Sequence, residues 1–399
     1  MTLRKVFGVQ QIILGDSFKR MIRLTIPSID ENDLKAVSEV LSSGYLVQGP
    51  RVADFEGVVA DYVGTKYAIA VANCTAALHL SLLALGVGSR DMVLVTAYSW
   101  PATANVIELC GAQPVFIDIR PDTFNMDPHC LEAAVDGLMG DMDMAHRVKA
   151  ILPVHTFGQM ADMEEILRIA GRFNLPVIED AACALGATLQ GRQAGTWGLM
   201  GCFSFHPRKA ITTGEGGIIV TNDADLDRHL RALRNHGQDP GTNPPEFIMP
   251  GFNYRMTEFQ AALGLSQMAK LDRIIAARQR LAALYDNLFS GTQLEVPKIR
   301  ENTTSVYQSY VVLLPECLVN RRERIIERLR SGDIETTIGT YNIPMTKFFR
   351  NLYEYKLGNF PVADQVFARS LSLPLYEGLF SQEQQDISDR LVRHCNADY

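Results

Sequence analysis

The stretch SFHPRKAITTGEGG, residues 204–217, places Lys209 five residues after Ser204 and just before glycines at 214, 216 and 217. An amine can form an imine with an aldehyde. A free lysine has a pKa of about 10.4 and reacts poorly at neutral pH until its surroundings lower that value. The glycines let the backbone pass close by, and the Ser204 hydroxyl can donate to a phosphate oxygen. Four further residues offer matching chemistry. Asp180 closes the apolar run in PVIEDAAC; a buried carboxylate needs a cation or several donors, and a protonated heterocyclic nitrogen is such a cation. Trp100 can lay a flat indole face on a planar ligand. Thr75 and Ala76 open a helix directly after a strand, where free N–H groups favour a phosphate. Taken singly, each has an ordinary alternative: Asp180 and Thr75 as helix caps, Trp100 as core packing. Taken together, they describe the protein's side of pyridoxal 5'-phosphate (PLP), with its lysine imine and its pyridinium–carboxylate pair.

The elements that must position these residues follow from the apolar pattern. KYAIAVANC, DMVLVTAYSW, QPVFIDI, VKAILPVHTFG and LPVIEDA read as strands. Between them, TAALHLSLLALGVG, PATANVIELCGA and ADMEEILRIAGRFN read as helices, the second with proline at its start. Continuous Val/Ile/Leu strands alternating with helices predict a mostly parallel sheet covered on both faces. Ligands of such sheets sit at the carboxyl ends of strands, which is where Asn73–Thr75, Ser99–Trp100, His155, Asp180 and Ser204–Lys209 fall. GGIIVTNDADLDRHLRALRNHG adds a strand and a helix, GQDPGTNPPEFIMPG an exposed excursion, and YRMTEFQAALGLSQMAKLDRIIAARQRLAALYDNLF one long helical stretch. Beyond Val296 the pattern changes to the strand YQSYVVLL and the helix RRERIIERLRSG, marking a second, smaller domain.

The chain has 399 residues, 47% of them apolar, which is enough for two domains with substantial cores. A net charge of -7 argues against a nucleic-acid partner. Seven cysteines, at 74, 110, 130, 183, 202, 317 and 395, include no C-x-x-C pair and predict buried free thiols in a reducing compartment. The first twenty residues carry no long apolar core and no small-residue cleavage site. No run approaches a membrane span, so the expectation is a cytoplasmic protein without a membrane partner.

Several long motifs in register carry a family resemblance: GYLVQGPRVADFE, ANCTAALHLSLLALGVG, PVFIDI, PVHTFGQMADM, IEDAACALGA, SFHPRKAITTGEGG, GFNYRMTEFQAALGLSQM and NFPVADQVFARSLSLPLY. With them, roughly residues 22 to 394 resemble the DegT/DnrJ/EryC1/StrS family of PLP-dependent sugar aminotransferases. The resemblance implies an α/β protein of PLP-dependent transferase fold type I, aspartate-aminotransferase-like. A large PLP-binding domain with a mostly parallel sheet would span 22–285 and a smaller C-terminal α/β domain 286–399, after an N-terminal extension, 1–21, to which no role is assigned. By position, Lys209 resembles the imine-forming lysine, Asp180 the partner of the pyridine nitrogen and Trp100 the stacking aromatic. Thr75, Ala76 and Ser204 resemble phosphate ligands. Asn253 resembles an asparagine that reaches the phosphate of the neighbouring subunit, which implies a homodimer with shared sites. Cys183 departs from the pattern: the family usually carries Gln or His there, and a thiol is a weaker donor near the cofactor. The resemblance makes His155 and His206 packing or substrate-contact residues rather than proton shuttles. Arg208 is left without a role.

The activity implied is transfer of an amino group from an amino acid, with L-glutamate as the expected donor, to a ketosugar. The expected acceptor is a nucleoside-diphosphate-linked keto-deoxyhexose, and a cyclitol ketone is the nearest alternative. A PLP-dependent sugar dehydratase would carry histidine at position 209. A PLP-binding regulator fused to a DNA-binding module would need more than the roughly 45 residues that precede the fold, and a less acidic chain.

Overall fold

The computed structural model describes residues 21–397. The expected N-terminal extension therefore lies outside the described residues except for Met21, as do the last two residues of the expected C-terminal domain.

The central sheet has seven strands: β1 (Tyr67–Val71), β2 (Met92–Thr96), β3 (Gln113–Ile117), β4 (Val148–Leu152), β5 (Ile178–Asp180), β6 (Met200–Ser204) and β7 (Gly217–Thr221). Their spatial order is β1-β7-β6-β5-β4-β2-β3, with β5 joined to β4 through the parallel bridges Ile151–Val177 and Val154–Asp180. Only β7 runs against its neighbours. The carboxyl ends of β1, β2, β5 and β6 therefore share one edge. β2 and β7 are buried along their whole length, as unbroken apolar strands must be when helices cover both faces.

The flanking helices of eight residues or more are α1 (Glu31–Ser43), α2 (Pro50–Val63), α3 (Cys74–Ala84), α4 (Ala102–Leu109), α5 (Pro128–Met139), α6 (Met163–Arg172), α7 (Ala224–Arg234), α8 (Glu258–Met268) and α9 (Leu271–Leu288). Helix α3 is apolar on nearly every side because it is interior, packed on β6 and β7 and between α4 and α7. The long helical stretch expected after Tyr254 is in fact two helices. At Lys270 the backbone leaves the helical region (φ -120°, ψ 6°). The buried Lys270 ammonium there bridges Asp33 at 2.6 Å and Asp30 at 2.9 Å, tying the α8–α9 junction to the start of α1. Helical propensity does not register that tertiary ion pair.

The smaller sheet is antiparallel: β8 (Tyr310–Leu313), β9 (Thr337–Ile338) and β10 (Ser370–Leu373), in the order β8-β10-β9. It packs with α10 (Arg322–Ser331) and α12 (Ser381–Ala397), while α11 (Pro361–Arg369) turns the other way. Residue 286, the expected start of this domain, falls inside α9. Leu271, Ile274 and Ile275 on that helix join the large core, and Ala282 and Tyr285 join the small one. Ile22 also belongs to the small core. Ile343, Phe349, Ala363 and Val366 pack with Val93 and Val95 of the large sheet instead. None of the seven cysteines forms a disulfide, but the expectation that they are buried holds only for Cys74, Cys202 and Cys395; Cys130 and Cys317 are exposed. Among the described residues, no helix is long and apolar enough to cross a membrane.

Candidate active site

At the shared carboxyl edge lies a cavity of about 960 Å³. Thr75, Ala76, Trp100, Asp180, Cys183, Ser204 and Lys209 all line it, together with Gln308 and residues 337–341 from the smaller sheet's side. The seven come from four separate strand ends and the loop after β6. Asn253 does not line it; it is exposed, on a segment bridged to Asn235.

Lys209 sits in the turn after β6, its N–H donating to the His206 carbonyl at 2.8 Å. Its Nζ donates to Cys183 Sγ at 3.1 Å. Burial works against the ammonium, but the Cys183 sulfur first, with Asp180 beyond it, outweighs it, so the pKa is raised. The chain's own groups thus do not supply the lowering expected of a reactive lysine; they hold the proton on.

Asp180 is buried at 4% exposure. Its Oδ2 accepts from Thr103 Oγ1 at 2.8 Å and its Oδ1 from the Ala182 N–H at 3.1 Å. Burial pushes its pKa up, while these two donors and the nearby Lys209 and His155 pull the other way. Among the described residues no cationic side chain forms an ion pair with it. A buried acid with one side open to a cavity and no paired cation fits a protonated ring nitrogen.

The phosphate end is a close fit of backbone on backbone. A Cβ at Gly217 would come within 2.4 Å of the Asn73 carbonyl carbon and 2.6 Å of the Cys74 nitrogen. A Cβ at Gly216 would meet Thr213 Oγ1 at 2.2 Å. Gly214 has open space around it but a left-handed φ of 83°. Only glycine at 217 lets β7 press against the start of α3, while Gly216 leaves room for Thr213, Met256 and Phe205. There Asn73, in extended conformation, caps the helix by accepting the Ala76 N–H at 2.9 Å. Thr75 is exposed to the cavity, and the half-buried Ser204 faces it from the end of β6. A helix N-terminus with N–H groups and hydroxyls at a cavity wall suits a phosphate. Trp100 stands at the rim, 59% exposed, edge-on to Tyr341 with ring centroids 5.4 Å apart. These residues fit PLP.

His155 does not line the cavity. Its Nδ1 accepts from the Ala161 N–H at 3.1 Å, which puts the ring proton on Nε2, where it donates to Glu179 at 2.8 Å. His206 lines the cavity, half-buried, with its pKa lowered chiefly by burial. Arg208 is exposed. Sequence reasoning placed Ser99 at the strand ends without giving it a role, and missed Thr103. The signal for Thr103 was available: it lies three residues after Trp100, one helical turn on, at the same strand-to-helix junction.

The sheet order and a lysine in the turn after its sixth strand, facing an acid at the end of the fifth, define a class: PLP-dependent transferases of fold type I. The chain belongs to the DegT/DnrJ/EryC1/StrS aminotransferase family, which it matches over residues 27–392. It is 39% identical over 361 residues to the GDP-perosamine synthase of Caulobacter vibrioides, covering 90% of this chain and 94% of that protein. It is 36% identical over 341 residues to the UDP-2-acetamido-2-deoxy-3-oxo-D-glucuronate aminotransferase of Pseudomonas aeruginosa, covering 85% and 89%. The PLP form of Spr1654 from Streptococcus pneumoniae superposes with a TM-score of 0.88 at 27% identity, covering 95% of this chain and 100% of that one. The protein is a PLP-dependent sugar aminotransferase.

Proposed function

We propose that this enzyme moves an amino group from an amino acid, L-glutamate being the expected donor, to a nucleoside-diphosphate-linked keto-deoxyhexose. The observation that carries this reading is the single cavity in which Lys209 and Asp180 from the large sheet face residues 337–341 from the smaller one. The two relatives whose names specify GDP- and UDP-linked sugars support the acceptor class.

PLP, when bound, supplies the electron sink for the transfer and carries the amino group between its two halves. The rest is done by the chain. Asp180 holds a proton on the ring nitrogen. Lys209 Nζ takes the α-proton of the amino donor and returns it, acting as base and then as acid. The N-terminus of α3 at Thr75 and Ala76, with the Ser204 hydroxyl, anchors the phosphate, and Trp100 covers the ring. Cys183 contacts Lys209, in place of the longer hydrogen-bonding side chains usual at that position. The large sheet's side carries this machinery, and residues 337–341 on the smaller sheet's side wall the acceptor end.

Asn253 serves the neighbouring subunit's phosphate in a homodimer. Its exposure and its place outside its own chain's cavity support that reading. Seven cysteines with no disulfide among them support a cytoplasmic location. Neither nucleic acid nor membrane is a partner in this reading, consistent with the net charge of -7.

The test is a panel of nucleoside-diphosphate ketosugars, with an unlinked cyclitol ketone beside them, offered with glutamate and read by product mass. An aminated sugar nucleotide with 2-oxoglutarate formed in equal amount is the expected result. Amination of the cyclitol alone would overturn the acceptor.

A further inference from the structure

Asp180 is one of three buried polar side chains that form a chain. Ser99, Thr103 and Asp180 are 5%, 1% and 4% exposed. Ser99 Oγ lies 3.0 Å from Thr103 Oγ1, and Thr103 Oγ1 lies 2.8 Å from Asp180 Oδ2. A hydroxyl has one proton to give. An ionised carboxylate can only accept, so Thr103 must spend its proton on Asp180, and its oxygen must then accept from Ser99. The direction of the chain is fixed: Ser99 to Thr103 to Asp180. Thr103 is itself fixed by the first turn of α4, where its N–H donates to the Trp100 carbonyl at 3.1 Å.

We infer that Ser99 and Thr103 are positioning residues, a directed hydroxyl relay that keeps Asp180 ionised and oriented toward the cofactor's ring nitrogen. The inference rests on Asp180 serving that nitrogen. A carboxylate this deeply buried loses its charge readily. The charged and titratable groups around it do not replace the relay. Lys209 and His155 favour the charge from a distance, but His155 is committed to Glu179 and Lys209 to Cys183. The Cys74 and Cys202 thiols that also face Asp180 have their pKa values raised by burial and stay neutral. Among the described residues, the only other donor is the Ala182 N–H, on the opposite oxygen. A donor that bonds only the charged form of an acid lowers its pKa, so removing it raises the pH at which the acid protonates.

The readout is the pH at which the holoenzyme releases PLP on dialysis, followed by absorbance of the retained cofactor. Release follows when Asp180 takes up a proton and the ion pair to the ring nitrogen is lost. Thr103→Val keeps the volume and removes the hydroxyl. It should move the release midpoint up by about one pH unit and weaken PLP binding about tenfold near neutral pH. Thr103→Ser should restore both. Ser99→Ala should shift the midpoint in the same direction by less, because it removes only the polarisation of the Thr103 hydroxyl; it carries the test if Thr103→Val does not fold. A midpoint unmoved in Thr103→Val or, failing that, in Ser99→Ala overturns the relay, and so does a Thr103→Ser variant that behaves like the valine one. Asp180→Asn separates the underlying reading: if it holds PLP with the wild-type midpoint, Asp180 does not serve the ring nitrogen; if it loses PLP while Thr103→Val does not, only the relay fails.

Discussion

Lys209 Nζ donates to Cys183 Sγ across 3.1 Å, and that sulfur raises the pKa of the amine proposed to attack an aldehyde. Imine formation needs the neutral amine. Removing the sulfur should lower the Lys209 pKa. Cys183→Ala, stripped of cofactor, should therefore capture PLP faster than wild type at neutral pH and reach its plateau at lower pH. Stopped-flow absorbance after mixing with PLP measures this. Identical pH profiles would show that Cys183 is only a spacer.

Lys209 itself should carry the cofactor. Borohydride should fix PLP on Lys209, and peptide mapping should find the label there and on no other lysine. Lys209→Ala should abolish turnover while its far-ultraviolet circular dichroism stays close to wild type.

Asp180→Asn should slow turnover by at least ~100-fold, about 2.7 kcal/mol of barrier. Steady-state kinetics on PLP-saturated variant enzyme decides this, and near-normal turnover would reduce Asp180 to the acceptor of the Ala182 N–H in the turn after its strand.

The same substitution should act on stability in the opposite sense. Burial raises the Asp180 pKa in the folded chain. The folded state then holds the proton more tightly than the unfolded one. The group's contribution is fully present below the ordinary carboxyl value and is lost as pH rises through the raised one. Without cofactor, Asp180→Asn should resist urea better than wild type at about pH 7, and the gap should close toward about pH 4. A gap that widens on acidification would contradict the burial argument.

Mixing Lys209→Ala with Asn253→Asp subunits tests the shared site. The added carboxylate should repel a phosphate, weakening cofactor binding in the Asn253→Asp parent. In a heterodimer both lesions fall in one site and leave the other whole, so activity should rise above that of either parent. No recovery after confirmed subunit exchange would place Asn253 outside the partner's site.

The sequence by itself determined where the candidate residues stand among the elements. Lys209, Asp180, Trp100, Thr75, Ala76 and Ser204 each end a strand, open a helix or sit in the loop after a strand, and the apolar period that predicts those elements also predicts that parallel strands bring their carboxyl ends to one edge. It marked the glycines at 216 and 217 as well, although the reasons, contact with Thr213 for the first and with the Asn73–Cys74 backbone for the second, are visible only in three dimensions. Tertiary structure alone decided the rest, because the partners are far apart in the chain. The upward shift of the Lys209 pKa comes from a sulfur 26 residues away. The charge on Asp180 depends on a hydroxyl 77 residues away. The break at Lys270 depends on Asp33, 237 residues away. Local periodicity records a residue's own backbone preference and its burial; it carries no information on which distant side chain will meet it once the strands are ordered, and the ionisation of a buried group is set by that meeting.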